Sequence, residues 1–173
     1  MTSVNNSWDE IFKKDLEYII NNCKTDLKKM SNKSLLFTGG GGFLGYYFYQ
    51  VILKWNKENK KDNIFYTVLD SKLLQKNSWI SKANNNQNIS FVFKDINSVS
   101  QKFIKNFDII VHGASIASPT FYRKYPIETM KANIGGLWNI LKSYESNSPK
   151  KNNQKKLIFF SSSEVYGNPD KKN

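Results

Sequence analysis

The sequence predicts an α/β fold in which helices pack on both faces of a doubly wound parallel sheet. From Lys33 onward, short apolar runs alternate with segments of helical periodicity, which is the pattern of βαβ units. The first apolar run is followed at once by the glycines Gly39–Gly42 and then by a helical pattern. Together these observations favour a parallel sheet that binds a ligand at the carboxyl ends of its strands.

An amphipathic helix is expected ahead of the sheet, over residues 7–30. Ser7 and Glu10 have the spacing of a capping box, which opens a helix. The apolar residues that follow recur at helical spacing, and they are Phe12, Leu16, Ile19, Ile20, Cys23 and Leu27. We therefore expect residues 1–32 to form a helical extension that docks on a domain spanning residues 33–173.

Five strands and the helices between them are expected in that domain. The strands are predicted at Ser34–Thr38, Ile64–Leu69, Ile89–Phe93, Asp108–His112 and Leu157–Ser161. The helices are predicted at Gly42–Asn56, Val99–Lys105 and Pro126–Tyr144, with a further helical piece near Leu73–Lys82. Right-handed crossovers place the first strand in the middle of the sheet.

Composition excludes several classes of function. The chain has 173 residues, of which 39% are hydrophobic and 14% aromatic, and this suits one globular domain. Its net charge of +12 comes from 25 Lys and one Arg scattered among 22 Asn, so nucleic acid is not an expected partner. The sequence has no apolar run long enough for a signal peptide or membrane span, and one Cys and one His make no metal site. A cytoplasmic protein without a metal fits these properties.

The glycine run predicts a dinucleotide site. Gly39, Gly42 and Gly45 have the spacing G-x-x-G-x-x-G between the first strand and the next helix. Glycine permits a tight turn and lets a pyrophosphate approach the helix start, here at Phe43 and Leu44. A flexible turn is the alternative explanation for the glycine run taken alone.

Two acidic residues follow the second and third predicted strands. Asp70 is placed to accept hydrogen bonds from the adenosine ribose, and its charge would repel a 2′-phosphate, so NAD is favoured over NADP. Asp95, which precedes Ile96, is placed to reach the adenine amino group. The alternative for each residue is an Asp that only caps a turn or a helix.

In this order, the motifs resemble the extended short-chain dehydrogenase/reductases, which include nucleotide-sugar epimerases, dehydratases and decarboxylases. The resemblance covers roughly residues 33–169, from the glycine run through Val111–Ser115 to Ser161–Gly167. It implies a Rossmann domain that binds NAD, a nucleotide-sugar substrate, and a homodimer built from two long helices of each subunit. The further cofactor contacts that it implies are Ile96, Gly113, Ala114, Ser115 and Asn133.

Within this family, the last motif is most similar to that of the UDP-glucuronate decarboxylases. The resemblance implies that Ser162 binds the sugar hydroxyl to be oxidised and that Glu164 is an acid or base near C5. It also implies that Ser163 helps to hold Glu164 or the substrate. The 4,6-dehydratases have an Asp at the position of Ser163, and the 4-epimerases generally lack the Glu. The alternative is that Ser161–Ser163 only satisfy backbone groups and Glu164 only caps a turn.

An earlier stretch also resembles the decarboxylases. It implies substrate contacts at Ser118, Pro119 and Tyr122, and UDP as the nucleotide carrier. Ile116 is a departure, because the decarboxylases usually have Pro there. The alternative is a loop and dimer helix shared by the whole family.

One catalytic element of the family is missing. Oxidation in this family uses a Tyr-x-x-x-Lys pair, in which Lys lowers the pKa of the phenol, and none of the nine tyrosines has Lys at that spacing. The sequence is therefore expected to be the amino-terminal portion of a longer enzyme, without its substrate domain and inactive alone. The alternatives are a 4-epimerase or 4,6-dehydratase, and a non-catalytic NAD-binding or regulatory module.

Overall fold

The computed structural model describes residues 4–71, 79–83, 87–145 and 155–168, and a parallel sheet of five strands lies at its centre. The strands are β1 (Ser34–Thr38), β2 (Phe65–Asp70), β3 (Ile89–Phe93), β4 (Ile109–His112) and β5 (Lys156–Phe159). Their order is β3-β2-β1-β4-β5, and each neighbouring pair is parallel. The predicted doubly wound sheet with a central first strand is confirmed.

Helices precede the sheet and connect its strands. In the described ranges they are α1 (Val4–Asn22), α2 (Lys24–Lys29), α3 (Phe43–Glu58), α4 (Gln101–Ile104), α5 (Pro119–Lys124), α6 (Pro126–Met130) and α7 (Gly136–Glu145). A π-helical turn, Lys131–Gly135, joins α6 to α7, so the helix predicted at Pro126–Tyr144 is present with this turn inside it. Within the described ranges, no helix is long and apolar enough to cross a membrane.

The sheet has a core on each face, because successive side chains of a strand point to opposite sides. Leu35 and Phe37 of β1 are buried in a cluster that includes Ile52 of α3. Leu36, between them, belongs to a second cluster with Ile140 of α7. Fully burying one aliphatic side chain contributes roughly 1.5–3 kcal/mol, so both layers of helices stabilise the strands that carry the loops of the site.

The amino-terminal helices pack against the first of these clusters. Leu16, Ile20 and Leu27 are buried in it, as their helical spacing predicts. The capping box is wrong, because α1 begins before Ser7 and that residue lies inside the helix. The single helix over residues 7–30 is also wrong at Cys23, which has φ −102° and ψ 11°, breaks the helix and is exposed.

Several boundaries near the site differ from the predictions. Asp70 is the last residue of β2 rather than the residue after it. β5 ends at Phe159, so Ser161 and Ser162 belong to the following loop. The helix predicted at Val99–Lys105 is only the short α4, because Ser100 caps it and accepts from the N–H of Phe103. The helix predicted near Leu73–Lys82 falls largely outside the described residues, which show a 3-10 turn at Trp79–Lys82.

Candidate functional site

The carboxyl ends of the strands meet at one edge of the sheet, and the predicted site residues follow them. Thr38 of β1 pairs in register with Leu69 of β2 and with His112 of β4, and His112 pairs with Phe159 of β5. The winding of the sheet reverses between β1 and β4, which are neighbours in space. Doubly wound sheets bind ligands in the crevice at such a reversal.

The glycine loop turns sharply from β1 into α3. Gly39 has a φ of +72°, and a Cβ at this position would lie 2.6 Å from the Cα of Ala114 in the loop after β4. A Cβ at Gly45, in the first turn of α3, would overlap the backbone of Gly40. Glycine at these two positions therefore allows β1, the β4 loop and the start of α3 to pack closely.

Gly42 differs from these two residues because the space around its Cα is open. A Cβ there would have only the carbonyl oxygen of Gly39 within 4 Å, at 3.6 Å. Gly42 caps α3 without a side-chain hydrogen bond, so the first N–H groups of α3, at Phe43 and Leu44, have no side-chain cap. Free N–H groups and the helix dipole favour an anion here, and the loop fits the pyrophosphate of a dinucleotide.

Asp70 holds the glycine loop from the end of β2. Its Oδ2 accepts a hydrogen bond from the N–H of Gly41 at 2.7 Å, and the side chain is buried. Burial raises the pKa of the Asp70 carboxyl, and hydrogen bonds from the backbone N–H groups of Gly41 and Ser71 oppose that rise. A Cβ at Gly41 would lie 2.6 Å from the same oxygen, so this glycine makes room for the carboxylate.

Trp79 binds the carbonyl group of Gly41, the residue whose N–H group is bound by Asp70. The indole Nε1 donates a hydrogen bond to the carbonyl oxygen of Gly41 at 2.9 Å. The neighbouring Ile80 is buried, and its Cδ1 would lie 3.1 Å from a Cβ at Gly41. Sequence reasoning missed both contacts of Gly41. The only available signal was a glycine that the G-x-x-G-x-x-G spacing does not require.

His112 is buried at the end of β4, beside the glycine loop. Its Nδ1 lies 2.6 Å from the hydroxyl oxygen of Thr38, and its ring stacks on Phe159 with centroids 5.6 Å apart. Burial lowers the pKa of His112, while the carbonyl groups of Ala132 and Asn133 in the π turn oppose this. The Nε2 atom of His112 is buried and has no hydrogen-bond partner among the described residues. The imidazole thus joins β4 to β1 as a neutral ring.

The predicted contacts after β3 carry out local structural roles. Asp95 accepts a hydrogen bond from the N–H of Asn97 at 2.7 Å and caps the 3-10 turn Ile96–Ser98. The Asp95 side chain nevertheless remains exposed at this edge of the sheet. Ile96 is buried beneath Gly136, and its carbonyl oxygen accepts a hydrogen bond from Asn139 at 2.8 Å.

The remaining predicted contacts lie on the chain between β4 and α7. The structure places three of them in the loop after β4, where Gly113 and Ala114 are half-buried and Ser115 is exposed. Asn133 is half-buried in the π turn. The predicted substrate contacts are exposed at the start of α5, whose N-cap is Ser118; they are Ser118, Pro119 and Tyr122.

The residues predicted to be catalytic follow β5. The Ser162 Oγ accepts a hydrogen bond from the N–H of Glu164 at 3.2 Å, so Ser162 caps the 3-10 turn Ser163–Tyr166. The side chains of Ser162 and Glu164 are exposed, and that of Ser163 lies outside the described part of the chain. The Glu164 carboxylate is therefore accessible to a ligand.

Comparisons with known proteins agree with this geometry. Residues 35–173 match the family described as the NAD dependent epimerase/dehydratase family. UDP-glucuronic acid decarboxylase 6 of Arabidopsis thaliana is 32% identical over 142 residues, which cover 80% of this chain and 36% of that protein. UDP-glucuronic acid decarboxylase 1 of Danio rerio is 31% identical over 144 residues, covering 83% and 31%. The chain thus spans about a third of the length of these relatives.

Solved structures share the fold. A UDP-N-acetylglucosamine 4-epimerase from Methanobrevibacter ruminantium M1, in complex with UDP-N-acetylmuramic acid, matches with a TM-score of 0.60 and 27% identity, covering 83% of this chain and 43% of that chain. The Bordetella bronchiseptica enzyme WbmF, in complex with NAD+, matches with a TM-score of 0.53 and 14% identity, covering 79% and 38%. The second likeness concerns the fold alone.

Proposed function

Because this chain belongs to the NAD dependent epimerase/dehydratase family, we propose that it is the NAD-binding portion of an enzyme that modifies a nucleotide sugar. The observation that carries this proposal is the open space around Gly42, at the start of α3, where no side chain caps the helix. The buried Asp70 is bound to the preceding residue, Gly41. Bound NAD would supply hydride transfer to and from the sugar.

Residues of the carboxyl edge would hold this cofactor. Gly39, Gly42 and the N–H groups of Phe43 and Leu44 would bind the pyrophosphate. A carboxylate has about four lone-pair sites, so Asp70 can bind Gly41 and Ser71 and still accept from ribose hydroxyls. The further contacts of the proposed site are Gly45, Asp95, Ile96, Gly113, Ala114, Ser115 and Asn133.

Decarboxylation of UDP-glucuronate is the proposed reaction of the whole enzyme. Two observations support it: the decarboxylase relatives and the motif Ser162-Ser163-Glu164. The C4 carbon of the sugar would lose hydride to NAD while its hydroxyl loses a proton, and a ketone would form. This ketone would stabilise the carbanion left at C5 when the carboxylate departs as carbon dioxide, and C5 would then take up a proton. Ser162 would hold the C4 hydroxyl, and Glu164 would act as an acid or base near C5.

Substrate binding and assembly extend this proposal. Ser118, Pro119 and Tyr122 would contact the sugar nucleotide, since they are exposed at the start of α5. A homodimer would use an apolar stripe along the helical segment from α6 to α7. Its exposed members follow helical spacing and are Ile127, Met130, Ile134, Trp138 and Leu141.

Three other functions are alternatives to decarboxylation. A nucleotide-sugar 4-epimerase is favoured by the likeness to the Methanobrevibacter enzyme. A 4,6-dehydratase is the alternative that would lose water from the sugar instead of carbon dioxide. A non-catalytic NAD-binding or regulatory module is the alternative of another class, because the glycine loop and Asp70 would suffice to bind NAD.

The test is an assay of this chain extended to the length of its relatives by a carboxyl-terminal portion of the family. We expect carbon dioxide release from UDP-glucuronate, and we expect Glu164→Gln to lower the rate by ~10²- to 10⁴-fold. The 173-residue chain alone is expected to be silent. Water loss at C6 would identify a dehydratase instead, inversion at C4 an epimerase, and NAD binding without turnover a binding module.

A further inference from the structure

A continuous series of aromatic contacts joins the amino-terminal helix to the glycine loop. The ring of Phe12 in α1 stacks on Tyr46 of α3, with centroids 5.3 Å apart. Tyr46 lies 5.4 Å from the ring of Trp79, and Trp79 donates its indole N–H to Gly41. We call this series the aromatic bridge. It begins outside residues 35–173, the region that matches the family, and ends inside the glycine loop.

Gly41 is the residue at which the aromatic bridge meets the proposed cofactor site. Its N–H is bound by Asp70 at 2.7 Å and its carbonyl oxygen by Trp79 at 2.9 Å, so both of its polar backbone groups are engaged. Gly41 directly precedes Gly42, the open glycine at the start of α3. Any movement of Gly41 would therefore shift the backbone that is to receive the pyrophosphate.

The amino-terminal helix also contacts α3 through two polar pairs, and the ring of Tyr47 in one of them lies 5.4 Å from the ring of Phe12. The hydroxyl of Tyr47 donates a hydrogen bond to Asp15 at 3.0 Å, and Lys54 pairs with Glu17 at 3.5 Å. Because α1 has these other contacts, loss of the Phe12 ring is expected to disconnect the bridge without releasing the helix. Substitution of Phe12 can therefore separate the two roles of α1, which are packing on α3 and support of Trp79.

We propose that Trp79 is a positioning residue for the adenosine diphosphate half of the cofactor, and that α1 supports Trp79 through Phe12 and Tyr46. This inference rests on the proposed NAD site. A loop held in its binding conformation before the ligand arrives loses less conformational entropy on binding. The amino-terminal extension, which lies outside the matched family region, is thereby part of the cofactor site.

The test compares variants of the full chain in their binding of ADP-ribose, which carries the adenosine diphosphate half without nicotinamide. Trp79→Phe keeps an aromatic ring but removes the indole N–H, and Phe12→Leu keeps apolar volume but removes the stacked ring. A lost hydrogen bond to a buried group predicts ADP-ribose binding weaker by about five- to tenfold in Trp79→Phe by titration calorimetry. Phe12→Leu keeps that hydrogen bond and the contact of Trp79 with Tyr49, so it is expected to weaken binding by a smaller factor. Tyr18→Ala, on α1 and 71% exposed, is the matched control and is expected to bind like the wild type.

A second measurement needs no ligand. The indole N–H of Trp79 is expected to exchange slowly with solvent in the NMR spectrum, because it is bound to Gly41. Phe12→Leu should speed this exchange in a chain that stays folded, whereas Tyr18→Ala should leave the exchange rate unchanged.

The possible outcomes separate this inference from the proposed function. A wild-type chain that fails to bind ADP-ribose would overturn the cofactor site and the inference with it. Wild-type binding that Trp79→Phe leaves unchanged would overturn the positioning role alone. Binding that weakens in Trp79→Phe, together with binding and Trp79 indole exchange that Phe12→Leu leaves unchanged, would refute the part assigned to α1.

Discussion

The imidazole of His112 lies 2.6 Å from the hydroxyl of Thr38, and this contact joins the carboxyl ends of β4 and β1. It lies at the reversal of the sheet, beside the glycine loop that begins with Gly39. Both side chains are buried, and burial lowers the pKa of His112. The link between the two strands is therefore made by a neutral imidazole and is sensitive to acid.

The first prediction concerns pH. A histidine whose pKa is lower in the folded state than its unfolded value of about 6.5 stabilises the fold fully above that pH and progressively less below it. We expect the free energy of unfolding to fall between pH 7 and pH 5, by at most about 1.4 kcal/mol per pH unit for one proton. Denaturant unfolding at each pH measures it.

His112→Asn is the control for this prediction. His112 is the single histidine of the 173 residues, so the difference between wild type and variant isolates its titration. The variant should lose the extra dependence between pH 7 and pH 5. Parallel pH curves for the two proteins would show that the ring is not the acid-sensitive group.

The second prediction concerns the buried carboxylate of Asp70. Its raised pKa means that ionisation opposes folding, so its cost is absent below the unfolded pKa of about 3.9 and grows as pH rises through the folded value. Asp70→Asn removes this cost and keeps an oxygen that can accept from Gly41. We expect the variant to be more stable than the wild type at pH 7 and to lose that advantage toward pH 4, as thermal unfolding would record.

The same variant should lose cofactor discrimination. The wild type is expected to bind NAD more tightly than NADP, because the Asp70 charge repels a 2′-phosphate. With Asn, or with Ala, the ratio of the two dissociation constants should move toward one in titration calorimetry. Equal binding of both cofactors by the wild type would remove the assigned role of Asp70.

The third prediction contrasts two glycines of the loop. Gly45→Ala should unfold or strongly destabilise the chain, because a Cβ would overlap the backbone of Gly40. Gly42→Ala should fold normally, since its φ of −79° suits alanine and its Cβ has space. It should nevertheless bind NAD more weakly, because the methyl group would occupy the proposed pyrophosphate position. Melting temperature and NAD affinity distinguish the two effects, and a Gly42→Ala chain with unchanged affinity would argue against that position.

The fourth prediction concerns association. Trp138 is 57% exposed within the apolar stripe of the α6 to α7 segment, and such stripes drive association. Sedimentation should show concentration-dependent oligomers for the wild type and a shift toward monomer for Trp138→Glu. Lys131→Gln, at an exposed residue of the same segment, makes the same change of one unit in net charge and is the control for charge. A wild-type chain that remains monomeric at high concentration would contradict the proposed use of this face.

Much of the site could be predicted from local sequence because its parts follow strand ends. Apolar runs interrupted by glycine and polar residues placed β1 and β3 at their observed bounds, and placed Asp70 and Gly113 at one sheet edge. The capping roles of Asp95 and Ser162 were also foreseeable, as alternatives to ligand binding, because short polar side chains bind nearby backbone N–H groups.

The sequence by itself thus determined the parallel sheet, the glycine loop and the family. These features can be recognised from residues that are close together in the chain, because strand periodicity and tight glycine turns are local patterns. Only the tertiary structure decided that Gly41 is hydrogen-bonded by both Asp70 and Trp79, and that the His112 ring lies 2.6 Å from the Thr38 hydroxyl. Those partners are far apart along the chain. Their contacts depend on which strands become neighbours and how helices pack on them, and no local pattern records either.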